Sequence, residues 1–217
     1  MEAGTLDAEG GTTITADDVH GENISSCAAY GARAAEYAEL LGTMAAVADD
    51  DRLLVEAWAH ETGGSLADVG CGPAHWTAHL AALGHDIVGV EPVDEFVAHA
   101  RRVHPGVRVE TGSFRTLPAS TFDGILAWYS MIHTPPPEAT LLLEHAHEAL
   151  RPGGSLLLGF FAGDRVEPFD HAVTTAWYWP LDDLTSVLTA AGFTVTDRGT
   201  RLDPGTRRHG WMRAHRN

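Results

Sequence analysis

Ser65-Leu66-Ala67-Asp68-Val69-Gly70-Cys71-Gly72-Pro73-Ala74-His75-Trp76 is the stretch that decides the fold of this chain. A short apolar run ends in an acid, turns on two glycines and enters a helix-like segment. About twenty residues further on, Ile87-Val88-Gly89-Val90-Glu91 repeats the form, an apolar strand closed by an acid. That is the sequence pattern of the first half of a nucleotide-binding βαβ unit. Glu91 stands where a carboxylate takes the two hydroxyls of a ribose.

The turn itself narrows the ligand. A dinucleotide site uses G-x-G-x-x-G so that backbone N–H groups cradle a pyrophosphate. Here His75 holds the third glycine position, and Pro73 has no N–H to offer. Asp68 adds negative charge where a phosphate would lie. A ligand with an adenosine and a positive end fits better, and S-adenosylmethionine is such a ligand. Asp68 is expected to face its amino end, Gly70 and Gly72 to let the backbone approach closely, and Glu91 to bind the ribose.

Outward from this unit, strand and helix patterns alternate. Strands are expected at 66–69, 87–90, 107–110, 122–128 and 155–161, with a final antiparallel pair at 193–197 and 209–215. Helices are expected at 76–83, 95–103, 138–150 and 181–191. Alternating β and α units build a parallel, doubly wound sheet with helices on both faces. Residues 1–23 are polar, acidic and Gly/Thr-rich and read as a flexible arm. The remainder, 24–217, reads as one domain. Within it, 24–62 supplies cap helices, as two helices or one broken helix, and 162–180 a lid over the acceptor site.

Bulk properties set the partners. The chain has 217 residues, a hydrophobic content of 44% and a formal charge of −16. Such a charge disfavours nucleic acid and anionic membranes. No apolar run reaches membrane-spanning length, and the start of the chain lacks a basic-then-apolar signal pattern. These features point to a cytoplasmic protein, monomer or homodimer, acting on a small molecule. Cys27 and Cys71 read as free thiols. No zinc-ligand spacing or Ser-His-Asp order stands out, so no metal is expected.

Four pieces in this order and spacing carry a resemblance: Asp68-Val69-Gly70-Cys71-Gly72-Pro73, Gly89-Val90-Glu91-Pro92, Phe122-Asp123-Gly124-Ile125 and Leu150-Arg151-Pro152-Gly153-Gly154-Ser155-Leu156. Over roughly residues 26–215 the chain resembles class I S-adenosylmethionine-dependent methyltransferases of the small-molecule type common in bacterial metabolism. The resemblance implies an α/β, Rossmann-like, seven-stranded sheet ordered 3-2-1-4-5-7-6, its last strand antiparallel. It implies S-adenosylmethionine as cofactor. It also implies a tyrosine of the cap helices, here Tyr30, reaching that cofactor. The chain departs from the family at Ala74, where a further glycine is usual, and after the third strand, where an acid often faces the adenine. There Ser113 is expected to hydrogen-bond and Phe114 to stack on adenine.

In parallel sheets ligands sit beyond the carboxyl ends of the strands. After the fourth strand come Trp128, expected to wall the cofactor, Tyr129, expected at the acceptor, and His133, the first candidate for general base. After the fifth, His171 is the second candidate base and a possible acceptor contact. Trp177, Tyr178 and Trp179 are expected to line an apolar acceptor pocket. Three activities stay open. One is methyl transfer to a small, largely apolar metabolite on oxygen, nitrogen or carbon. Another is a cyclase-like natural-product enzyme that binds the same cofactor without consuming it. The weakest is a nicotinamide-dependent oxidoreductase, which Pro73, His75 and the lack of a Tyr-x-x-x-Lys pair disfavour.

Overall fold

A computed structural model describes residues 42–172 and 174–217. Five helices and nine strands follow in the order α1 (Asp49–Thr62), β1 (Ser65–Val69), α2 (His75–Ala82), β2 (Asp86–Glu91), α3 (Asp94–Val103), β3 (Arg108–Thr111), β4 (Phe122–Trp128), α4 (Pro136–Ala149), β5 (Leu150–Ala162), β6 (Glu167–Asp170), β7 (Thr175–Trp179), α5 (Leu181–Ala190), β8 (Phe193–Arg201) and β9 (His209–Arg216). Short 3-10 turns lie at Met44–Ala46 and Phe114–Thr116. The expected arm and most of the cap, Tyr30 included, fall outside the described residues. So does Cys27, whereas Cys71 is a buried free thiol.

The sheet is parallel through β3-β2-β1-β4-β5. Beyond β5 lies β9, antiparallel to it, and then β8. With β8 and β9 as the sixth and seventh strands of the expected set, the order is the 3-2-1-4-5-7-6 read from the sequence. Two further strands lie in the segment read as a lid. β6 and β7 form a hairpin, and β7 pairs in parallel with Phe161 and Ala162 at the end of β5.

The strand alternation that predicts the sheet also sorts its two faces. Leu66, Ile87, Leu126 and Leu157 point to one side, against Trp58 of α1 and Trp76 and Leu80 of α2. Their neighbours Ala67, Val88, Ile125 and Leu156 point to the other, against Leu143 of α4 and Leu188 of α5. Burying each of these large side chains contributes roughly 1.5–3 kcal/mol. Trp58 also pins α1 to β5: its indole N–H donates to Ser155 Oγ at 2.9 Å, deep in the core. Arg151-Pro152-Gly153-Gly154 stops α4 as expected. It is then extruded as a bulge, because Phe122 pairs with Leu150 while Gly124 pairs with Ser155.

Candidate active site

The carboxyl ends of β1, β2, β4 and β5 open on a cavity of about 580 Å³. One half is built by the turn after β1 and the end of β2. Gly70 turns with φ +72°, and a Cβ there would overlap the side chain of Ser130. Its N–H donates to Val90 O at 2.7 Å, which holds the turn against β2. Glu91, at the end of β2, accepts from the Gly72 N–H at 2.8 Å and the Val93 N–H at 3.0 Å, one on each carboxylate oxygen. Each oxygen keeps a further lone pair. Asp68 accepts from the Thr77 hydroxyl at 2.7 Å.

Both acids are almost fully buried and line the cavity. Burial pushes Glu91 up to about 7 and Asp68 up to about 6, in each case against hydrogen bonds that favour the ionised form. Buried carboxylates held this way favour a ligand that brings positive charge and hydroxyl donors. They oppose a pyrophosphate. The donor set therefore fits a sulfonium nucleoside: Glu91 toward ribose hydroxyls, Asp68 toward the ammonium end.

Ala74 begins α2 in the left-handed region, φ 64° and ψ 29°. The family's glycine thus marks a backbone demand that this chain meets with alanine, at about 1–2 kcal/mol of strain. Its methyl group is fully buried against Cys71, Val97 and Ala100, which recovers about 0.8 kcal/mol.

The other half of the cavity lies past the ends of β4 and β5. Trp128, Tyr129, His133 and His171 all line it. Trp128 packs edge-on to Trp76 and to Tyr129. Tyr129 has φ 59°, a conformation that non-glycine residues adopt at a cost and that gathers at functional sites. His133 Nδ1–H donates to Thr175 O at 2.7 Å. In the neutral ring this leaves the lone pair on Nε2. Burial lowers the His133 pKa, and the bond to Thr175 O partly restores it. His171 lies 5.3 Å from His133, centroid to centroid. Burial, then His133, then Arg207, push it down to about 4.

Several sequence expectations are not met by this geometry. Ser113 and Phe114 do not line the cavity: Ser113 and Thr116 close a capping box, and Phe114 is buried in the main core. Trp177, Tyr178 and Trp179 also stand away from it. Trp177 packs against the core, Trp179 is part of it, and Tyr178 stacks on Phe169 at 4.2 Å. As strand β7 they serve the site indirectly. The Trp177 N–H donates to Ile132 O at 2.9 Å, and Thr175 O orients His133.

The structure also adds residues that sequence reasoning missed. His209, at the start of β9, pairs in register with Phe161 at the end of β5. Its Nδ1 is hydrogen-bonded to the Tyr129 hydroxyl. Arg201, at the end of β8, makes a two-point bond to Asp51 of α1 at 2.5 and 3.0 Å and a bond to Asp203 at 2.8 Å. The signal was available: an antiparallel strand starts where its parallel neighbours end, so the first residue of the last strand belongs to the ligand end.

Comparison with known proteins bears on the fold and on the segment that carries the turn after β1. Residues 66–154 match a family described as a methyltransferase domain. The malonyl-[acyl-carrier protein] O-methyltransferase of Erwinia billingiae is 26% identical over 120 residues, 55% of this chain and 46% of that protein. The chain spans about half the length of the curated relative it matches there. Among solved structures, a SAM-dependent methyltransferase of Leishmania major superposes with a TM-score of 0.73 at 18% identity, covering 87% of this chain and 81% of the other. The 1,6-didemethyltoxoflavin-N1-methyltransferase of Burkholderia thailandensis, solved with 1,6-didemethyltoxoflavin and S-adenosylhomocysteine bound, has a TM-score of 0.62 at 23% identity, covering 92% and 81%. Residues 66–154 thus resemble a methyltransferase domain, and the described residues share the fold of solved SAM-dependent methyltransferases. No helix among the described residues is long and apolar enough to cross a membrane.

Proposed function

We propose that this protein transfers a methyl group from S-adenosylmethionine to a small, largely apolar metabolite, with His133 as general base. When bound, the cofactor supplies an electrophilic methyl group on a positive sulfur. Glu91 and Asp68 hold its ribose and ammonium ends, and Gly70 and Gly72 let it lie against the backbone. The acceptor enters the aromatic half of the cavity. The cofactor bound there would supply the methyl group, and His133 Nε2 would take the proton that the acceptor's oxygen, nitrogen or carbon sheds.

The observation that carries the choice of base is the bond from His133 Nδ1–H to Thr175 O. A fixed carbonyl behind the ring sets the tautomer and stabilises the imidazolium, as an orienting acceptor does for other histidine bases. His171 has no such partner among the described residues: its buried Nδ1 makes no hydrogen bond. It remains a neighbour that favours neutrality.

The test is S-adenosylhomocysteine release over an acceptor panel, followed by His133→Asn on any acceptor found. The variant should lose about 10²–10⁴-fold in kcat while keeping its cofactor affinity. An unchanged kcat would remove His133 as base. Cofactor that is bound but never consumed by any acceptor would overturn the transferase reading.

A further inference from the structure

The far half of the cavity carries information about the acceptor that the methyltransferase fold does not. Its walls are flat rings. Tyr129 and Phe161 lie 5.1 Å apart, Phe161 and His171 5.9 Å, and Phe161 and His209 6.1 Å, centroid to centroid. Its charges are already spent. Arg201 is the one guanidinium among the lining residues described, and it is bound to both Asp51 and Asp203. Its own pKa is raised by these bonds, Asp51 first. A carboxylate acceptor would have to break that cluster to find a cation, and would then leave Asp51 or Asp203 unpaired beside it.

Beside His133, a second polar pair faces this chamber, Tyr129 with His209. The Tyr129 hydroxyl is bonded to His209 Nδ1. Burial, with the charge of Asp51, raises the Tyr129 pKa, so the hydroxyl stays protonated. His209 Nδ1 is its sole hydrogen-bond partner among the described residues, so we assign the hydroxyl as donor and Nδ1 as acceptor. Burial lowers the His209 pKa, so the ring is neutral at pH 7. With Nδ1 accepting, Nε2 carries the hydrogen. Nε2 makes no hydrogen bond to any described residue, and His209 lines the cavity. The strained backbone of Tyr129 is the local cost of putting its hydroxyl there.

We propose that the acceptor is an uncharged, planar heteroaromatic molecule whose edge carries a hydrogen-bond-accepting carbonyl or ring nitrogen, and that His209, oriented by Tyr129, reads that edge. This rests on the transferase reading above and narrows its substrate class. The adjoining rings of Phe161 and His171 supply area for the acceptor to lie against, the His209 Nε2–H supplies orientation, and the paired Arg201 cluster excludes anions. The cavity volume falls in the range for a single small-ligand site.

The experiment uses the full chain saturated with S-adenosylhomocysteine, whose binding is established first by calorimetry. Ligand-observed NMR then ranks a panel of quinolinones, isoquinolinones and pyrimidinones against the carboxylates of the same rings. Neutral rings should bind at least tenfold more tightly than their carboxylates. His209→Phe keeps the ring but loses the donor, and should weaken the neutral binders about fivefold to tenfold. In Tyr129→Phe, the ¹⁵N signals of His209 should change from a single Nε2–H tautomer to a mixture, with a smaller loss of affinity. Circular dichroism checks that both variants are folded. Carboxylates binding as well as the neutral rings would overturn the proposal. So would neutral rings that do not bind, or that bind His209→Phe as well as the parent. If S-adenosylhomocysteine itself does not bind, the transferase reading falls, and the substrate class falls with it.

Discussion

Glu91 offers a sharp physical test of the cofactor half of the site, because its burial leaves a signature in stability as well as in binding. Its carboxyl pKa is pushed from 4.5 to about 7, burial being the main cause. Between those values the unfolded chain has lost the Glu91 proton while the folded chain retains it. Stability from this group is therefore fully present below 4.5 and is lost as pH rises through about 7. At about 1.4 kcal/mol per pH unit the full loss is roughly 3–4 kcal/mol. His75 and His171, both pushed down to about 4 by burial, act the other way: they make the protein more stable as pH rises toward 6.5. The total pH profile is therefore a cancellation, and only a difference isolates Glu91.

The perturbation is Glu91→Gln. The amide can still accept from one of the two N–H donors that bond Glu91 now, so its loss of about 1 kcal/mol is independent of pH. Urea denaturation of parent and variant from pH 4.5 to 8 gives two stability curves. Their difference should shift by about 3 kcal/mol across that range in favour of the variant, with most of the change complete by pH 7.5. Saturating S-adenosylmethionine should flatten the parent curve, since a positive ligand favours the ionised carboxylates. A difference that is flat with pH, or that moves in favour of the parent, would refute the reading of Glu91 as a carboxyl held protonated by burial.

Other perturbations separate strain, packing and binding. Gly70→Ala forces a Cβ into the Ser130 side chain at a positive φ; it should cost about 3 kcal/mol in denaturation and abolish S-adenosylhomocysteine binding. Trp58→Phe removes the donor to buried Ser155, far from the cavity lining; it should cost about 1–3 kcal/mol while calorimetry finds cofactor affinity unchanged. Ala74→Gly relieves a left-handed alanine but removes a buried methyl and loosens the unfolded chain; thermal melting should place it within about 1 kcal/mol of the parent.

The parts of this fold that could be read in advance are those where local pattern and tertiary role coincide. The strand from Leu66 to Val69 is apolar because it lies mid-sheet. Asp68 and Glu91 lie at the carboxyl ends of their strands, where the cavity opens, and the Gly70 turn is needed by the close approach of Ser130. The hairpin β6–β7 was missed because its strands are short, four and five residues, and lie among turn-forming residues such as Gly163, Asp164 and Asp170. Its aromatic run reads as ligand contact, whereas alternation along β7 turns Trp177 and Trp179 toward the core and leaves Tyr178 on the other face to stack on Phe169. Phe114 follows a strand end and so reads as an adenine contact, but a short 3-10 turn carries its ring into the core. The place of His209 at the start of the last strand is legible from the strand order; its meeting with Arg201 and Asp51, from β9, β8 and α1, is encoded by no spacing along the chain.

The central claim is that this cavity binds S-adenosylmethionine through Glu91 and the turn after β1. Calorimetric titration with S-adenosylmethionine and, separately, S-adenosylhomocysteine tests it most directly. The account predicts micromolar binding of both by the parent, weakened at least tenfold by Glu91→Ala. No binding of either ligand, or equal binding by parent and variant, would contradict it.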